Sequence, residues 1–351
     1  MLLSLYYSRP DLQEAFPECM KGNLQRLVVW ASHHAKEDPD GIAIYDHVYK
    51  LMRIFYSRRD LQQAYPEAND AKDLTRLVRW AVNSGATEES ILAPFADKYS
   101  AMTESEGIFH LLDNNKTLVL SFPGFSQGFG MKDHPYDFLK SIHSKGFDVL
   151  HLPDIQRAWY HFGIRGQSDN IDELVTSLRE FVKGYEQIIT FGTSMGGYAS
   201  ILFGSILNAN LSIAIVPATF IDPKNRAKFN DTRHPEYRDK VCNQTLHPEF
   251  LDLKDYMSRR KAGRISFLCF YGDIDKMDEL HSMRMAELDS FFVFKVTGGE
   301  HSDPEKSASA LMWNAGIFDH IFDLAIEREA SVKELVSFLD KQTILERILH
   351  R

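Results

Sequence analysis

Cysteine is scarce in this chain of 351 residues, which has only Cys19, Cys242 and Cys269. Three thiols this far apart are too few for a disulfide framework, and their spacing is not that of a zinc site. His33 and His34 are adjacent but lack a carboxylate at ligand spacing, and no Walker or dinucleotide-binding glycine pattern occurs. We therefore expect no metal and no nucleotide cofactor.

Positive charge is also in short supply, because 40 Lys and Arg against 49 Asp and Glu give a net charge of −9. An acidic chain does not offer the basic surface that nucleic-acid binding requires. No apolar run approaches the roughly 20 residues of a membrane span. The apolar start at residues 1–7 lacks the basic flank and small-residue cleavage site of a signal peptide. The sequence favours a cytoplasmic protein with neither a nucleic-acid partner nor a membrane span.

Residues 188–200 (IITFGTSMGGYAS) contain the pattern Gly192-x-Ser194-x-Gly196 between an apolar β-branched run and a run of small residues. This stretch predicts a strand, a tight turn and a helix. A serine hydroxyl is a weak nucleophile that must project towards a base. The glycines allow a sharp turn, and the helix start directs N–H groups at a developing oxyanion. The alternative is an ordinary turn in which Ser194 caps the helix.

Strand and helix patterns alternate from residue 107 onwards, which favours a mostly parallel sheet with helices on both faces. Residues 108–112 and 116–122 flank an Asp-Asn-Asn turn and predict an opening hairpin. Residues 307–350 are helical in pattern. In sheets of this class, functional sites form where the parallel strands end.

Three polar positions follow separate strand patterns in the order Ser, Asp, His. Ser194 follows one strand, Asp273 and Asp275 follow the next, and His301 follows the last. His301 is the natural base for Ser194, and an aspartate would hold its imidazole in the right tautomer. Either aspartate could instead be a turn residue or a helix cap, and His301 could be a surface loop residue.

Three motifs resemble those of the α/β-hydrolase superfamily and occur in that family's order: Gly192-x-Ser194-x-Gly196, Tyr271-Gly272-x-x-Asp275 and Gly298-Gly299-x-His301. The resemblance covers residues 101–351. It implies an α/β fold and an esterase-like serine hydrolase that works through an acyl-enzyme. By the same match Ser194 is the nucleophile, His301 the base and Asp275 the acid, with Asp273 as the alternative.

The loop at residues 123–130 (PGFSQGFG) resembles the family's His-Gly-Phe loop, with Pro123 in place of the histidine. By that match the backbone N–H groups of Phe125 and Met195 form the oxyanion hole. The alternative is a glycine-rich connection without a catalytic role.

Aromatic residues near the strand ends predict a substrate pocket lined by Phe129, Trp159 and Tyr160, since aromatic rings suit a sugar or an acyl chain. Ordinary core packing is the alternative for Trp159. Residues 219–263 are polar, contain proline, and occupy the position of the superfamily's lid, so we expect a cap there. A substrate group could meet its basic side chains, or they could belong to a solvated loop. They are Arg226, Arg233, His234, Arg238 and His247.

The first hundred residues contain a repeat, because residues 7–18 (YSRPDLQEAFPE) return at 56–67 (YSRRDLQQAYPE). A Leu-x-Arg-Leu-Val-x-Trp-Ala pattern also returns, at an offset of 50 residues. Each copy predicts two short helices, because a serine N-cap starts the first, a proline ends it, and the second has one apolar face. We expect a small all-helical module with two units.

The helical module covers residues 1–100, with units at about 1–48 and 49–100, and it precedes the catalytic domain at 101–351. Its repeat resembles short segments attached to bacterial polysaccharide-biosynthesis enzymes. The resemblance implies a carbohydrate setting, and hence an ester substrate that is an O-acyl carbohydrate or another small molecule. The module either docks a protein partner or a second copy of the chain, or stabilises the enzyme. Acyl transfer by the same triad and a non-catalytic binding role are the alternatives to ester hydrolysis.

Overall fold

The computed structural model describes residues 109–131, 135–164, 167–260, 265–301, 303–326 and 332–348, so the helical module predicted at 1–100 lies outside the described residues. The strands are β1 (Phe109–Leu111), β2 (Thr117–Phe122), β3 (Asp148–His151), β4 (Gln187–Thr193), β5 (Leu211–Ile215), β6 (Ser266–Gly272), β7 (Phe291–Val296) and β8 (Leu345–Ile348). The helices are α1 (Pro135–Ser144), α2 (Ile171–Phe181), α3 (Met195–Leu207), α4 (Pro223–Phe229), α5 (Pro235–Gln244), α6 (Leu253–Ser258), α7 (Lys276–Met285), α8 (Ala308–Asn314), α9 (Ile317–Ile326) and α10 (Val332–Leu339). None of these helices has both the length and the apolar character that a membrane crossing requires.

The eight described strands form one sheet in the order β1-β3-β2-β4-β5-β6-β7-β8. Every pairing from β3 through to β7 is parallel, and only the edge strands β1 and β8 run antiparallel to their neighbours. Strands buried on both faces must be apolar along their whole length, and all six residues of β2 are buried. The mostly parallel sheet predicted from the alternating pattern is confirmed. The edge strand β8 lies within residues 307–350, for which the sequence pattern predicts helix, so that prediction is wrong for this strand.

The predicted opening hairpin is wrong, because β1 pairs with β3 and not with β2. Phe109 lies opposite His151, and the other edge of β3 pairs with β2. The carboxylate of Asp148, at the start of β3, accepts hydrogen bonds from the backbone N–H groups of Asp113 and Asn115 at 2.9 and 3.2 Å. Asp148, more than 30 residues further along the chain, therefore fixes the turn at residues 113–115, and β3 takes the place beside β1 that the hairpin prediction gave to β2.

Helices cover both faces of the sheet, as the sequence predicts. On one face the ring of Phe122 in β2 stacks on Phe203 of α3, with centroids 5.4 Å apart. On the other face Phe191 of β4 packs against Phe138 of α1, at 5.2 Å. Phe191 is paired with Ser121, one residue before Phe122, and successive strand residues point to opposite faces. The sheet is thus the central layer of three.

The predicted cap follows β5 and contains α4, α5 and α6. A buried histidine ties it to the domain, because His161 Nδ1 lies 2.6 Å from Thr245 Oγ1 of the cap and its Nε2 lies 2.9 Å from the Tyr198 hydroxyl of α3. That hydroxyl donates to the carbonyl oxygen of Phe250 at 2.7 Å. The cap is therefore fixed to α3, the helix that follows Ser194, and is not a solvated loop.

Candidate active site

Ser194 lies at the turn between β4 and α3, with φ 55° and ψ −114°. Few residues other than glycine adopt a positive φ, and such strain persists only where the surroundings hold it. Here the backbone N–H of Ser194 donates to the carbonyl oxygen of Ile215 at 2.8 Å, which anchors the turn to β5. The predicted strand, tight turn and helix are confirmed.

The two glycines of the motif are required for space. A Cβ on Gly196 would lie 1.9 Å from the carbonyl oxygen of Phe122, and a Cβ on Gly192 would lie 2.1 Å from that of Gly196. Backbone atoms cannot rotate away as a flexible side chain can, so any side chain at either position would push the turn off the end of β2. The glycines allow the turn to pack directly on its neighbouring strand.

A continuous line of hydrogen-bonding atoms runs from Ser194 into the protein. Ser194 Oγ lies 3.1 Å from Nε2 of His301, and His301 Nδ1 lies 2.8 Å from both carboxylate oxygens of Asp278. The Asp278 side chain is 1% exposed. A carboxylate at Nδ1 holds the proton on that nitrogen and leaves Nε2 free to take a proton from the serine. The arrangement can therefore convert the hydroxyl into a nucleophile.

The prediction that Asp275 pairs with His301 is wrong. The Asp275 carboxylate accepts hydrogen bonds from the backbone N–H groups of Met277 and Asp278, at 2.8 and 3.2 Å, and so caps α7. The alternative, Asp273, accepts a hydrogen bond from the N–H of Gly298 at 2.8 Å. The helix-cap interpretation therefore holds for Asp275, and the contact to the imidazole comes from the first turn of the helix.

Sequence reasoning missed Asp278, although a signal for it exists. The buried face of α7 has positions spaced i, i+3, i+4 and i+7, namely Asp278, His281, Ser282 and Met285. Charged residues are almost never fully buried without a partner. The signal that could have identified Asp278 is its place on the buried face of a helix that begins just after a strand.

The loops after β6 and β7 touch at two other glycines of the family-like motifs. A Cβ on Gly272 would lie 2.1 Å from the carbonyl oxygen of Gly299. That oxygen accepts a hydrogen bond from the N–H of Ile274 at 3.1 Å. This close backbone contact explains both glycines and keeps the loop that carries His301 beside α7.

Asp275, Asp278 and His301 are the one group among the described residues with the types and spacing of a metal site, because their ligand atoms lie within 4.8 Å of one another. Two carboxylates and an imidazole suit a divalent cation. Each of the three side chains already has hydrogen-bond partners within the protein, however. Asp275 accepts from two backbone N–H groups. Asp278 and His301 contact each other, Asp278 also contacts Arg233, and His301 also contacts Ser194. The geometry favours proton transfer over metal binding.

The predicted oxyanion loop lies beside the turn that carries Ser194. β2 and β4 are parallel neighbours, with Phe122 opposite Gly192, so the loops that follow them leave the same edge of the sheet side by side. A Cβ on Gly124 would lie 3.3 Å from the carbonyl oxygen of Thr193. The two loops are thus in contact immediately before Ser194.

Neither of the two predicted oxyanion donors is used elsewhere in the described structure. Within the loop the N–H of Gly124 donates to Gly128 and that of Gln127 donates to Gly124, whereas no backbone hydrogen bond of the described residues uses the N–H of Phe125. Met195 is the first residue of α3, where an N–H group has no acceptor within the helix. Neither N–H group therefore has a backbone acceptor among the described residues, and Met195 itself is fully buried.

Two of the three predicted pocket residues belong to the hydrophobic core, so that prediction is wrong for them. Phe129 packs against Phe138 and Phe191, with ring centroids 5.3 Å away in each case. The hydroxyl of Tyr160 donates to the carbonyl oxygen of Leu152 at 2.8 Å. Phe129 and Tyr160 are both at most 2% exposed, so they line no open surface.

The third, Trp159, is also buried, but it lies against the oxyanion loop. Its ring centroid is 5.9 Å from that of Phe125. The Phe125 ring also stacks on His234 of the cap at 3.8 Å, and the Arg157 guanidinium lies 5.0 Å from its centroid. Trp159 therefore supports Phe125, and with it the position of the Phe125 N–H group.

Behind Asp278 the cap places a cluster of charges that is buried except for Arg233, whose side chain is 25% exposed. Arg233 Nη1 lies 3.0 Å from Asp278 Oδ1, and its Nε lies 3.0 Å from Asp231 Oδ1. Arg238 Nη1 lies 2.7 Å from Asp231 Oδ2, with the Arg238 side chain 1% exposed. Sequence reasoning placed these arginines against substrate or solvent, whereas the structure pairs them with carboxylates.

Buried His281 completes this cluster. Its Nε2 lies 3.1 Å from Asp231 Oδ2, and its Nδ1 accepts a hydrogen bond from the N–H of Thr219 at 3.0 Å. Burial lowers the pKa of His281 to about 3, so the ring is neutral. Burial alone would raise the pKa of Asp231, but hydrogen bonds from His281 and Arg233 and the charges of Arg233 and Arg238 lower it overall. Asp231 is therefore an anion between two guanidinium groups.

Buried neutral histidines predict that the protein loses stability in acid. Burial, together with the charge of His247, lowers the pKa of His161 to about 3, and burial lowers that of His281 to about 3. In the unfolded chain a histidine titrates near pH 6.5, so between about pH 6.5 and pH 3 the unfolded state holds more protons than the folded state. The stability that these histidines contribute is complete above about pH 6.5 and is lost as the pH falls. We expect the melting temperature, measured by circular dichroism, to fall between about pH 7 and pH 4.

His161→Gln provides the matched control, because glutamine keeps a hydrogen-bonding side chain but does not titrate. The variant should take up one proton fewer on unfolding in acid. Its unfolding free energy should then depend less steeply on pH, by up to about 1.4 kcal/mol per pH unit. An unchanged slope would show that His161 does not contribute to the acid sensitivity.

No protein-family model matches this chain, and no curated protein sequence does. Similar solved structures include MGS-MChE2, an alpha/beta hydrolase from the metagenome of Mar Chica lagoon sediments in Morocco, at 13% identity, 65% of this chain, 98% of that chain and a TM-score of 0.43. Est1E from Butyrivibrio proteoclasticus matches at 14% identity, 64% and 94% coverage and a TM-score of 0.42. An S-formylglutathione hydrolase from Agrobacterium tumefaciens matches at 12% identity, 59% and 84% coverage and a TM-score of 0.39. Similarity this low carries no inference about the reaction, which we draw from the geometry of the site alone.

Proposed function

We propose that this chain is a serine hydrolase that cleaves a carboxylic ester. The observation that carries the proposal is the line of contacts from Ser194 Oγ to His301 at 3.1 Å and on to Asp278 at 2.8 Å. It lies at the sheet edge where the parallel strands end, which is where sites form in this class of fold. The strained backbone at Ser194 supports the same conclusion, because strain of this kind clusters at functional sites.

In the proposed reaction, Nε2 of His301 takes the hydroxyl proton of Ser194 as Oγ attacks the ester carbonyl carbon. The N–H groups of Phe125 and Met195 stabilise the resulting oxyanion. His301 then gives the proton to the leaving alcohol as the C–O bond breaks, and the acyl group stays on Ser194. Water gives a proton to His301 as its oxygen attacks the acyl carbon of this acyl-enzyme. The bond between that carbon and Oγ then breaks, His301 returns the proton to Oγ, and the acid is released. Asp278 holds the imidazole and offsets its positive charge.

For the substrate we propose an O-acyl carbohydrate. Support comes from the resemblance of the repeat in residues 1–100 to segments of polysaccharide-biosynthesis enzymes.

A fluorophosphonate probe tests the proposed activity, because it forms a covalent bond only with an activated serine. We expect the folded protein to be labelled, the adduct to lie on Ser194 by mass spectrometry, and heat-denatured protein to remain unlabelled. The folded protein should also hydrolyse short p-nitrophenyl esters and acetylated sugars. Absence of labelling would overturn the proposal and favour a non-catalytic binding protein. Acyl transfer to added sugar acceptors, with little free acid, would identify a transferase that uses the same triad.

A further inference from the structure

We propose that Arg233 of the cap is a positioning residue for the triad: Asp231 holds the fork of its guanidinium, and the remaining nitrogen, Nη1, fixes the Asp278 carboxylate against His301, so that the cap completes the active site. This inference rests on the proposed function, because Arg233 acts on the reaction only through Asp278 and His301. Arg233 lies just before α5, in a segment outside the three motifs that resemble those of the α/β-hydrolase superfamily.

The Asp278 carboxylate is buried, and its contacts decide its orientation. Both of its oxygens lie 2.8 Å from His301 Nδ1, and Oδ1 also accepts a hydrogen bond from Arg233 Nη1 at 3.0 Å. The Asp278 side chain is 1% exposed, so in the folded protein the guanidinium takes the place of water at Oδ1. Among the described Lys and Arg residues, Arg233 is the one that forms an ion pair with Asp278. The guanidinium therefore fixes the rotation of the carboxylate that supports the imidazole.

Arg233 is itself held from the opposite side. Its Nε and Nη2 lie 3.0 and 3.2 Å from the two oxygens of Asp231, the two-pronged geometry that orients a guanidinium plane. Its backbone N–H donates to the same carboxylate at 3.1 Å. Arg238 and His281 both contact Oδ2 of Asp231 and hold this carboxylate in place. The orientation of Arg233 is thus set before any substrate arrives.

The charges of this cluster balance. Asp231 and Asp278 supply two negative charges, Arg233 and Arg238 supply two positive charges, and His281 is neutral. Removing the Arg233 guanidinium would leave two buried carboxylates with one cation and would free Asp278 to rotate away from the imidazole. The structure thus gives Arg233 both an orienting and an electrostatic reason to affect turnover.

The same stretch of the cap also reaches the oxyanion loop. His234, next in sequence to Arg233, stacks on the Phe125 ring at 3.8 Å. The Arg238 guanidinium lies 5.4 Å from the ring of Trp159, which packs against Phe125. Residues 231–238 therefore contact the supports of the oxyanion loop and of the triad acid. This part of the cap therefore lies against the active site.

The experiment measures kcat and KM for ester hydrolysis in Arg233→Gln, Arg233→Lys and the matched control Arg226→Gln. Arg226 lies on α4 of the same cap, and its guanidinium pairs with Asp239. We expect Arg233→Gln to lower kcat by about 100-fold with KM nearly unchanged, because a misplaced imidazole slows the chemical step. Lysine keeps the charge but not the fork, so Arg233→Lys should recover part of the rate and lose about tenfold. Arg226→Gln should keep both parameters.

A second comparison asks whether Arg233 acts through Asp278. In an Asp278→Asn background, Arg233→Gln should lower kcat little further, because both changes disrupt one interaction. Equal losses in the two backgrounds, or wild-type kcat in Arg233→Gln, would overturn the proposal. If Arg233→Gln melts below the assay temperature, Arg233→Lys decides, and wild-type kcat in that variant would overturn the role of the fork.

Ser194→Ala, assayed alongside, separates this inference from the proposed function. If Ser194→Ala keeps its turnover, the serine hydrolase assignment fails and the role of Arg233 fails with it. If Ser194→Ala is inactive while Arg233→Gln hydrolyses the ester at the wild-type rate, only the role of Arg233 fails.

Discussion

Replacing Ser194 with alanine should lower ester turnover by on the order of 10⁶-fold. The change removes the oxygen that would form the acyl-enzyme, and His301 then has no hydroxyl proton to take. Only substrate binding and the two oxyanion N–H groups would remain, and these alone give weak catalysis. The measurement is kcat for a p-nitrophenyl ester, with circular dichroism and a melting curve to show that the fold is intact. Folding should be unaffected, because alanine retains the backbone contact to Ile215 that holds the turn.

Ser205→Ala is the control for this experiment. Ser205 is a buried serine on the same helix, more than ten residues beyond Ser194 and towards the far end of α3. It should retain wild-type turnover and full labelling by a fluorophosphonate. Equal turnover in the Ser194→Ala variant and the wild type would show that the hydrolysis does not use this serine.

The proximity of Ser194 and His301 could be predicted from the sequence because local rules decide where both residues lie. Ser194 follows β4 directly and His301 lies in the loop after β7, and parallel strands bring such positions to one edge of the sheet. Gly192 and Gly196 strengthened the prediction for Ser194, because the motif that they form with it lies within five residues of sequence. The mostly parallel sheet could be predicted for a similar reason, from the alternation of strand and helix patterns.

The acid could not be assigned from the same local rules. Asp275 has the position that the family-like motif gives to the acid, but that position is also the N-cap of α7, and the backbone N–H groups of the helix take its carboxylate. Asp278 lies one turn of backbone further on, where the helix start sets the side-chain direction. Which of two nearby carboxylates meets His301 depends on where a helix begins, and helix boundaries are the least certain part of a sequence-based prediction.

The cap cluster and the first strand lay beyond sequence reasoning because long-range contacts decide them. Arg233 is separated from Asp278 by 45 residues, and no periodic pattern connects the two. The pairing of β1 with β3 depends in the same way on Asp148, which binds the turn before β2 from 33 or more residues away. Sequence periodicity shows which residues are buried, but not which buried charge meets which.

Asp278→Asn should lower kcat by about 10⁴-fold, whereas Asp275→Asn should remain close to the wild type. An amide at position 278 can donate to Nδ1 of His301, which would stabilise the tautomer with its proton on Nε2 and leave no base facing Ser194. Asparagine at 275 still caps α7, since Asn and Asp are about equally good N-caps, so the stability of that variant should be retained. The two substitutions make the same chemical change three residues apart, so a difference between them reports position alone.

The kcat of each variant should be calculated per folded molecule. Asp278→Asn also leaves the Arg233 guanidinium without one of its carboxylates, so part of that variant could be unfolded. Melting curves separate a loss of stability from a loss of rate. If Asp275→Asn abolished turnover and Asp278→Asn retained it, the motif position would hold the acid, and the contact between Asp278 and His301 would be structural. Near-complete loss in both would mean that the imidazole needs both carboxylates, which the distance of at most 4.8 Å between their ligand atoms allows. Loss in Asp278→Asn alone would assign the acid to the first turn of α7.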